Sequence, residues 1–183
     1  MKRRLFLTGP IGCGKSTAIV QGLGDRRETL GGFVTFREGP AHRPQRFFLE
    51  TVQARERTVF LDLTGEKPRV DLSAFSGLGV RSLQTGPLLL DEIGGIELLC
   101  PEFLEALEDA LTGEIPAIGV IKAPESSLTL ARCLGLTEQY LAAADRLRRL
   151  LEQDDRTEIY TCGTFDPQAR ALTELWAREY LWR

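Results

Sequence analysis

One stretch near the N-terminus constrains this chain more than any other: Gly9-Pro10-Ile11-Gly12-Cys13-Gly14-Lys15-Ser16-Thr17. It meets the spacing G-x-x-x-x-G-K-S/T in full, and that spacing has a mechanical meaning. Glycines let the backbone wrap closely around phosphate oxygens and turn N–H groups toward them. A helix that starts at the lysine adds its positive end. The flanks agree with this. Arg4–Thr8 reads as a short buried strand, and Lys15–Leu23 has helical character, stopped by Gly22 and Gly24. Lys15 is therefore expected to reach the β- and γ-phosphates of a nucleoside triphosphate. Ser16 is expected to place its hydroxyl on Mg²⁺, and Thr17 to bond the α-phosphate. The plainer alternative is a glycine turn that caps a helix and holds no ligand.

A second element agrees with the first. Leu88-Leu89-Leu90 is an apolar run that ends abruptly in Asp91-Glu92. An acidic residue at a strand end holds Mg²⁺ in phosphate-loop proteins, usually through water, and Asp91 fits that role. Glu92 is expected just outside the carboxyl end of the strand, where open α/β sheets bind ligands. There it can orient, or take a proton from, a water attacking the γ-phosphate. Taken alone, the pair would read as a solvated turn.

The rest of the chain fits an α/β fold. Gly32–Arg37 and Arg46–Val52 are rich in Phe, Val and Thr, and the turn formers between them suggest a β-hairpin. Thr58–Leu63 reads as a further strand and Leu72–Leu83 as a helix. Helical spacing also marks Glu102–Leu111, Glu138–Glu152 and Pro167–Leu181, while Ala117–Ile121 and Glu158–Cys162 read as strands. Continuous apolar runs, as opposed to alternating ones, mark strands covered on both faces. The expectation is a three-layer fold: a mainly parallel sheet flanked by helices, with an inserted hairpin at about residues 32–63. The whole chain, residues 1–183, is expected to form one phosphate-loop nucleotide-binding domain.

Composition removes several alternatives. The chain carries 23 basic and 26 acidic residues, so no basic surplus points to general nucleic-acid binding. Cys13, Cys100, Cys133 and Cys162 form no C-x-x-C pair, and His42 is the only histidine. That argues against zinc and against a histidine-based triad. The apolar run after Met1 is too short for a signal peptide, and no segment approaches a membrane span. A cytoplasmic protein is expected.

Asp91-Glu92-Ile93-Gly94-Gly95-Ile96-Glu97-Leu98 resembles the D-E-I-G-x-M/I-E-L signature of the THEP-type nucleoside-triphosphatases. Gly31–Glu38 resembles the G-F/Y-x-T-x-x-x-R-x-x-G segment of that family, with the arginine arriving early. Arg46-Phe47 follows its R-x-G-F continuation without the glycine, and Val70–Phe75 resembles the stretch before the acidic strand. The resemblance covers roughly Leu5 to Lys122. It implies a phosphate-loop fold with additional strands, Mg²⁺ dependence and broad hydrolysis of NTPs to NDPs. The C-terminal third departs: Val120–Pro124 and Thr161–Pro167 stand where that family has a His-containing segment and an Asn-Arg-Asp element.

Other residues keep two readings. Lys122 closes an apolar strand and either senses the γ-phosphate or snorkels from a strand end. Asp166 either holds the base or caps the helix that starts at Pro167. Arg37, Arg43 and Arg46 either meet substrate or are exposed hairpin charges. Arg146, Arg148 and Arg149 are an arginine cluster or a solvated helix face, and the face is favoured. Trp176, Tyr180 and Trp182 read as core or interface residues rather than a stacking platform. Two other functions stay open beside hydrolysis: a kinase for a small molecule or nucleotide, and a nucleotide-gated interaction module with slow hydrolysis.

Overall fold

The structure is a computed structural model, and it describes residues 1–39 and 45–181. The expected hairpin turn with His42 and Arg43, and Trp182, lie outside the described residues. Eight strands form one sheet: β1 (Arg4–Thr8), β2 (Gly31–Glu38), β3 (Arg46–Thr51), β4 (Arg57–Asp62), β5 (Arg69–Val70), β6 (Leu88–Ile93), β7 (Ala117–Ile121) and β8 (Thr157–Thr161). Their order is β5-β4-β3-β2-β6-β7-β1-β8. From β2 to β8 every neighbouring pair is parallel, while β3, β4 and β5 extend the sheet in antiparallel fashion. This is the expected α/β architecture, with the parallel half of the sheet carrying the connecting helices.

The helices are α1 (Lys15–Leu23), α2 (Val80–Ser82), α3 (Pro101–Thr112), α4 (Pro124–Leu134), α5 (Glu138–Gln153) and α6 (Pro167–Leu181). Their placement explains the apolar runs. Along β1, Phe6 faces one core, with Phe103 and Leu107 of α3 and Tyr140 and Leu147 of α5. Leu5 and Leu7 face the other, with Ile19 of α1 and Trp176 of α6. Leu88 and Leu90 separate from Leu89 in the same way on β6. Each central strand is thus apolar on both faces, as a helix-covered parallel strand must be.

The outer strands are tied in by aromatic rings. Phe60 of β4 meets Phe75 at 5.1 Å, Phe75 meets Phe103 at 5.5 Å, and Phe103 meets Phe33 of β2 at 5.7 Å. Such pairs add to area burial when the rings tilt or meet edge to face.

Three elements differ from expectation. The Leu72–Leu83 helix contains a wide π turn at Phe75–Gly79, where two glycines relax the backbone and Gly79 presses against Phe103. The helix α4 was not expected, although Pro124 at its first position and the left-handed Gly135 after its end bracket it. Glu92 lies within β6, which continues to Ile93, and not just outside the strand's end. Pairing of β6 with β7 steps from Asp91↔Val120 to Ile93↔Ile121, so Glu92 is the residue passed over at the irregularity.

Candidate functional site

The phosphate loop connects the end of β1 to α1, with Gly9, Gly12 and Gly14 at φ of 132°, 79° and 102°. Side chains rarely adopt these angles. A Cβ on Gly9 would also lie 2.7 Å from the Cys162 carbonyl oxygen, so the loop packs against the segment after β8. Gly14 precedes α1 and no side chain caps the helix. Its first N–H groups therefore remain open to an anion. Lys15 arches over the loop and donates to the carbonyls of Gly9 at 2.9 Å and Pro10 at 2.8 Å.

Gly9, Ile11, Gly12, Gly14, Lys15, Ser16 and Thr17 line one cleft of about 260 Å³ together with Glu92, Lys122, Ala123 and Ser126. Pro10 contributes its carbonyl to Lys15, and Cys13 is buried beneath the loop. Asp91 is buried behind Ser16, 8% exposed, and accepts a hydrogen bond from Ser16 Oγ at 3.1 Å. Burial pushes its carboxyl up to about 6, and the Ser16 bond, Arg27 and Lys15 oppose that rise. Glu92 lies across the cleft in an ion pair with Lys122, and its N–H donates to Thr35 Oγ1 at 3.3 Å.

The turn after β6 is built for rigidity. Glu97, 4% exposed, accepts N–H bonds from Gly94 at 2.6 Å and Gly95 at 2.7 Å. Burial raises its carboxyl, and these bonds work against the rise. Tyr140 Oη donates to the Gly94 carbonyl at 2.9 Å. Glu97 therefore braces the backbone that follows Glu92.

Residues 4–142 match the family described as NTPase. The chain belongs to the NTPase family. Nucleoside-triphosphatase THEP1 of Thermofilum pendens is 29% identical over 197 aligned positions, which span 96% of this chain and 98% of that protein. The THEP-type resemblance read around Asp91–Leu98 is thus borne out, and it extends into the C-terminal third. No solved structure matches the chain at comparable stringency. No helix among the described residues is long and apolar enough to cross a membrane.

In this NTPase-family chain, two of the sequence candidates stand away from the cleft. Arg46 pairs with Asp62 on β4 at 3.0 Å, and its side chain is 55% exposed. Asp166 accepts N–H bonds from Gly163 at 3.1 Å and Gln168 at 3.0 Å, so it closes the loop before α6. Trp176 is core, as expected, and fully buried.

Sequence reasoning missed two groups. Ser126 reaches the cleft in the first turn of α4, and the Ala123-Pro124 step was the available signal. Arg148 does not share the solvated face with Arg146 and Arg149. Its side chain is 17% exposed and donates to the Lys122 carbonyl at 2.9 Å and to Thr8 Oγ1 at 3.4 Å. Its place seven residues after Leu141 and four after Ala144, beside the apolar stripe of α5, was the available signal.

Proposed function

We propose that the chain is a Mg²⁺-dependent nucleoside-triphosphatase that hydrolyses NTPs, ATP and GTP among them, to NDP and phosphate. The carrying observation is the single cleft that sets Lys15 and an uncapped helix start opposite Glu92 and Lys122. Family membership and the name of the Thermofilum pendens relative support hydrolysis over other uses of a phosphate loop. The continuous sheet from β1 to β8 supports one domain over residues 1–183, with the strands from about 32 to 63 as an insertion.

A Mg²⁺ ion fits the donor set. Asp91 is a carboxylate buried at a cost, with a hydroxyl beside it, and Mg²⁺ takes one or two carboxylates when phosphates supply the remaining ligands. Ser16 would hold the ion directly and Asp91 through water, and the ion would supply charge neutralisation to the triphosphate.

The chain's own groups do the rest. The loop N–H groups and Lys15 grip the triphosphate, and Lys15 exchanges two loop carbonyls for phosphate oxygens. Glu92 orients a water and accepts its proton as the water oxygen bonds to the γ-phosphorus. The bridging oxygen leaves with the NDP. Lys122 is placed to turn from Glu92 toward the γ-phosphate as charge develops there. Arg148 holds Lys122 through its carbonyl.

Phosphate release from ATP, GTP, CTP and UTP tests this, with wild type, Lys15→Ala and Glu92→Gln. Lys15→Ala should lose tight NTP binding. Glu92→Gln should bind normally and turn over ~10²- to 10⁴-fold more slowly, the usual range for a positioned acid–base group. Equal turnover by Glu92→Gln and wild type would remove Glu92 from the mechanism. A kinase reading has one supporting feature, a cavity of about 220 Å³ that adjoins the cleft through Lys122. An acceptor that gains phosphate while free phosphate release falls would favour it.

A further inference from the structure

We propose that the cavity beside the cleft is a binding site for a small carboxylate with a short apolar chain, which draws Lys122 away from Glu92 and slows hydrolysis. The site stands on its own lining, while the slowing rests on the role proposed above for Lys122. The cavity holds about 220 Å³ between α4, α5 and the end of β7. At ~30 Å³ per water-sized group it has room for about seven heavy atoms. Lys122 belongs to both linings, so it is the wall shared with the phosphate cleft. Arg148 lines the cavity beside it and donates to its carbonyl at 2.9 Å. Gly94 is a buried part of the same wall, and Glu97 and Tyr140 hold its N–H and its carbonyl. The cavity is therefore preformed.

Its lining is cationic on one side and apolar on the other. Lys122 and Arg148 are largely shielded from water, whereas Leu128 and Asp145 are exposed and mark the mouth. Leu141 and Ala144 of α5 supply apolar wall. Asp145 is engaged by Arg149 at 2.8 Å, so it sets no unpaired negative charge against an entering anion. Arg148 Nη1 has a long contact of 3.5 Å with Glu152, an exposed carboxylate. An ammonium and a guanidinium side by side suit a carboxylate, because hydrogen bonds between ionised partners are the strong ones. Lys122 already holds a carboxylate, Glu92, and a ligand carboxylate offers it the same chemistry from the cavity side. Inorganic anions would supply the charge but leave Leu141 and Ala144 uncovered, whereas a short alkyl chain covers them. While a ligand holds Lys122, the lysine cannot meet charge developing on the γ-phosphate. Turnover then falls, and the grip of the phosphate loop and Lys15 on NTP persists.

Calorimetric titration without nucleotide tests the site, with sodium pentanoate as the probe and acetate and pentan-1-ol as its head and tail alone. Wild type is compared with Ala144→Leu, which fills the cavity, and Leu128→Glu, which sets a negative charge at its mouth. Pentanoate should bind wild type with a millimolar Kd. Acetate and pentan-1-ol should bind at least ~10-fold more weakly, since one lacks the buried methylenes and the other the charged hydrogen bonds. Both variants should keep wild-type turnover and bind pentanoate at least ~10-fold more weakly than wild type. Steady-state kinetics with ATP, following ADP and phosphate together, test the coupling. Saturating pentanoate should lower kcat at least ~5-fold and leave KM within about twofold. Pentanoate that fails to bind wild type, or binds both variants as tightly as wild type, would overturn the site. Turnover unchanged at saturating pentanoate would overturn the coupling. So would ADP formation that persists while free phosphate falls, which would mark the carboxylate as a phosphate acceptor. Wild type that binds pentanoate yet releases no phosphate from any NTP would uphold the site and count against hydrolysis.

Discussion

Removing the Asp154 carboxylate should destabilise the fold by about 3–5 kcal/mol and leave the chemistry of the folded fraction intact. Arg4 opens β1 and is fully buried. Its guanidinium donates to Asp154 Oδ2 at 2.6 Å and to the Gly113 carbonyl at the end of α3. Asp154 also accepts from Thr157 Oγ1 at 2.7 Å and from Arg156 Nε at 3.0 Å. Its side chain is 14% exposed, so solvent screens the pair weakly. Asp154→Ala leaves a buried cation with one carbonyl partner, the situation that makes breaking a buried pair costly. Burial itself pushes the Asp154 carboxyl up, yet the bonds from Thr157 and Arg156 and the charge of Arg4 hold it at about 2, against an ordinary 3.8. At ~1.36 kcal/mol per pKa unit, that gap corresponds to about 2 kcal/mol. A depressed carboxylate gives its full stabilisation above its unfolded value and loses it as pH falls toward its folded value. The contribution should therefore be complete above pH ~5 and fade between pH ~4 and ~2. Urea unfolding followed by circular dichroism at pH 7, 4 and 3 measures both effects, with Asp154→Asn as the companion variant. An Asp154→Ala penalty below ~1 kcal/mol, or an Asp154→Asn pH slope equal to that of wild type, would refute the reasoning.

Gly32→Ala should cost about 3 kcal/mol or more, since φ is 88° and a Cβ would lie 2.1 Å from the Leu89 carbonyl oxygen. Thermal unfolding and soluble yield report it. Trp176→Ala should cost ~3–5 kcal/mol in chemical denaturation, because it empties a fully buried site and removes the 3.0 Å bond from Trp176 Nε1–H to the Arg3 carbonyl, which keeps only the Ala117 N–H. Glu97→Ala should lose ~2–4 kcal/mol by stranding the Gly94 and Gly95 N–H groups. It should also lower kcat at least ~10-fold, because the loosened turn follows Glu92. Glu97→Gln keeps an acceptor and should recover part of both losses, read from parallel denaturation and steady-state kinetics.

Some of this was written locally and some was not. The phosphate loop was legible because Gly9, Gly12 and Gly14 each meet a backbone demand, and such demands act over a few residues. The β1, α1, β7 and α6 spans were legible for a similar reason, since buried strands and capped helices announce themselves in their own composition. The break in β6 pairing at Glu92 was not, because a bulge depends on the partner strand. Arg148 shows the limit most clearly. Its neighbours Arg146 and Arg149 carry the same charge on the same helix and end in surface ion pairs with Glu108 and Asp145. Helical rotation alone turns Arg148 inward, and it finds partners there only because β1 and β7 end side by side at Thr8 and Lys122. Sheet order, which no local pattern encodes, therefore decides which arginine is tied to the cleft. The two signature stretches are legible as motifs, whereas their meeting in one cleft follows from the strand order alone.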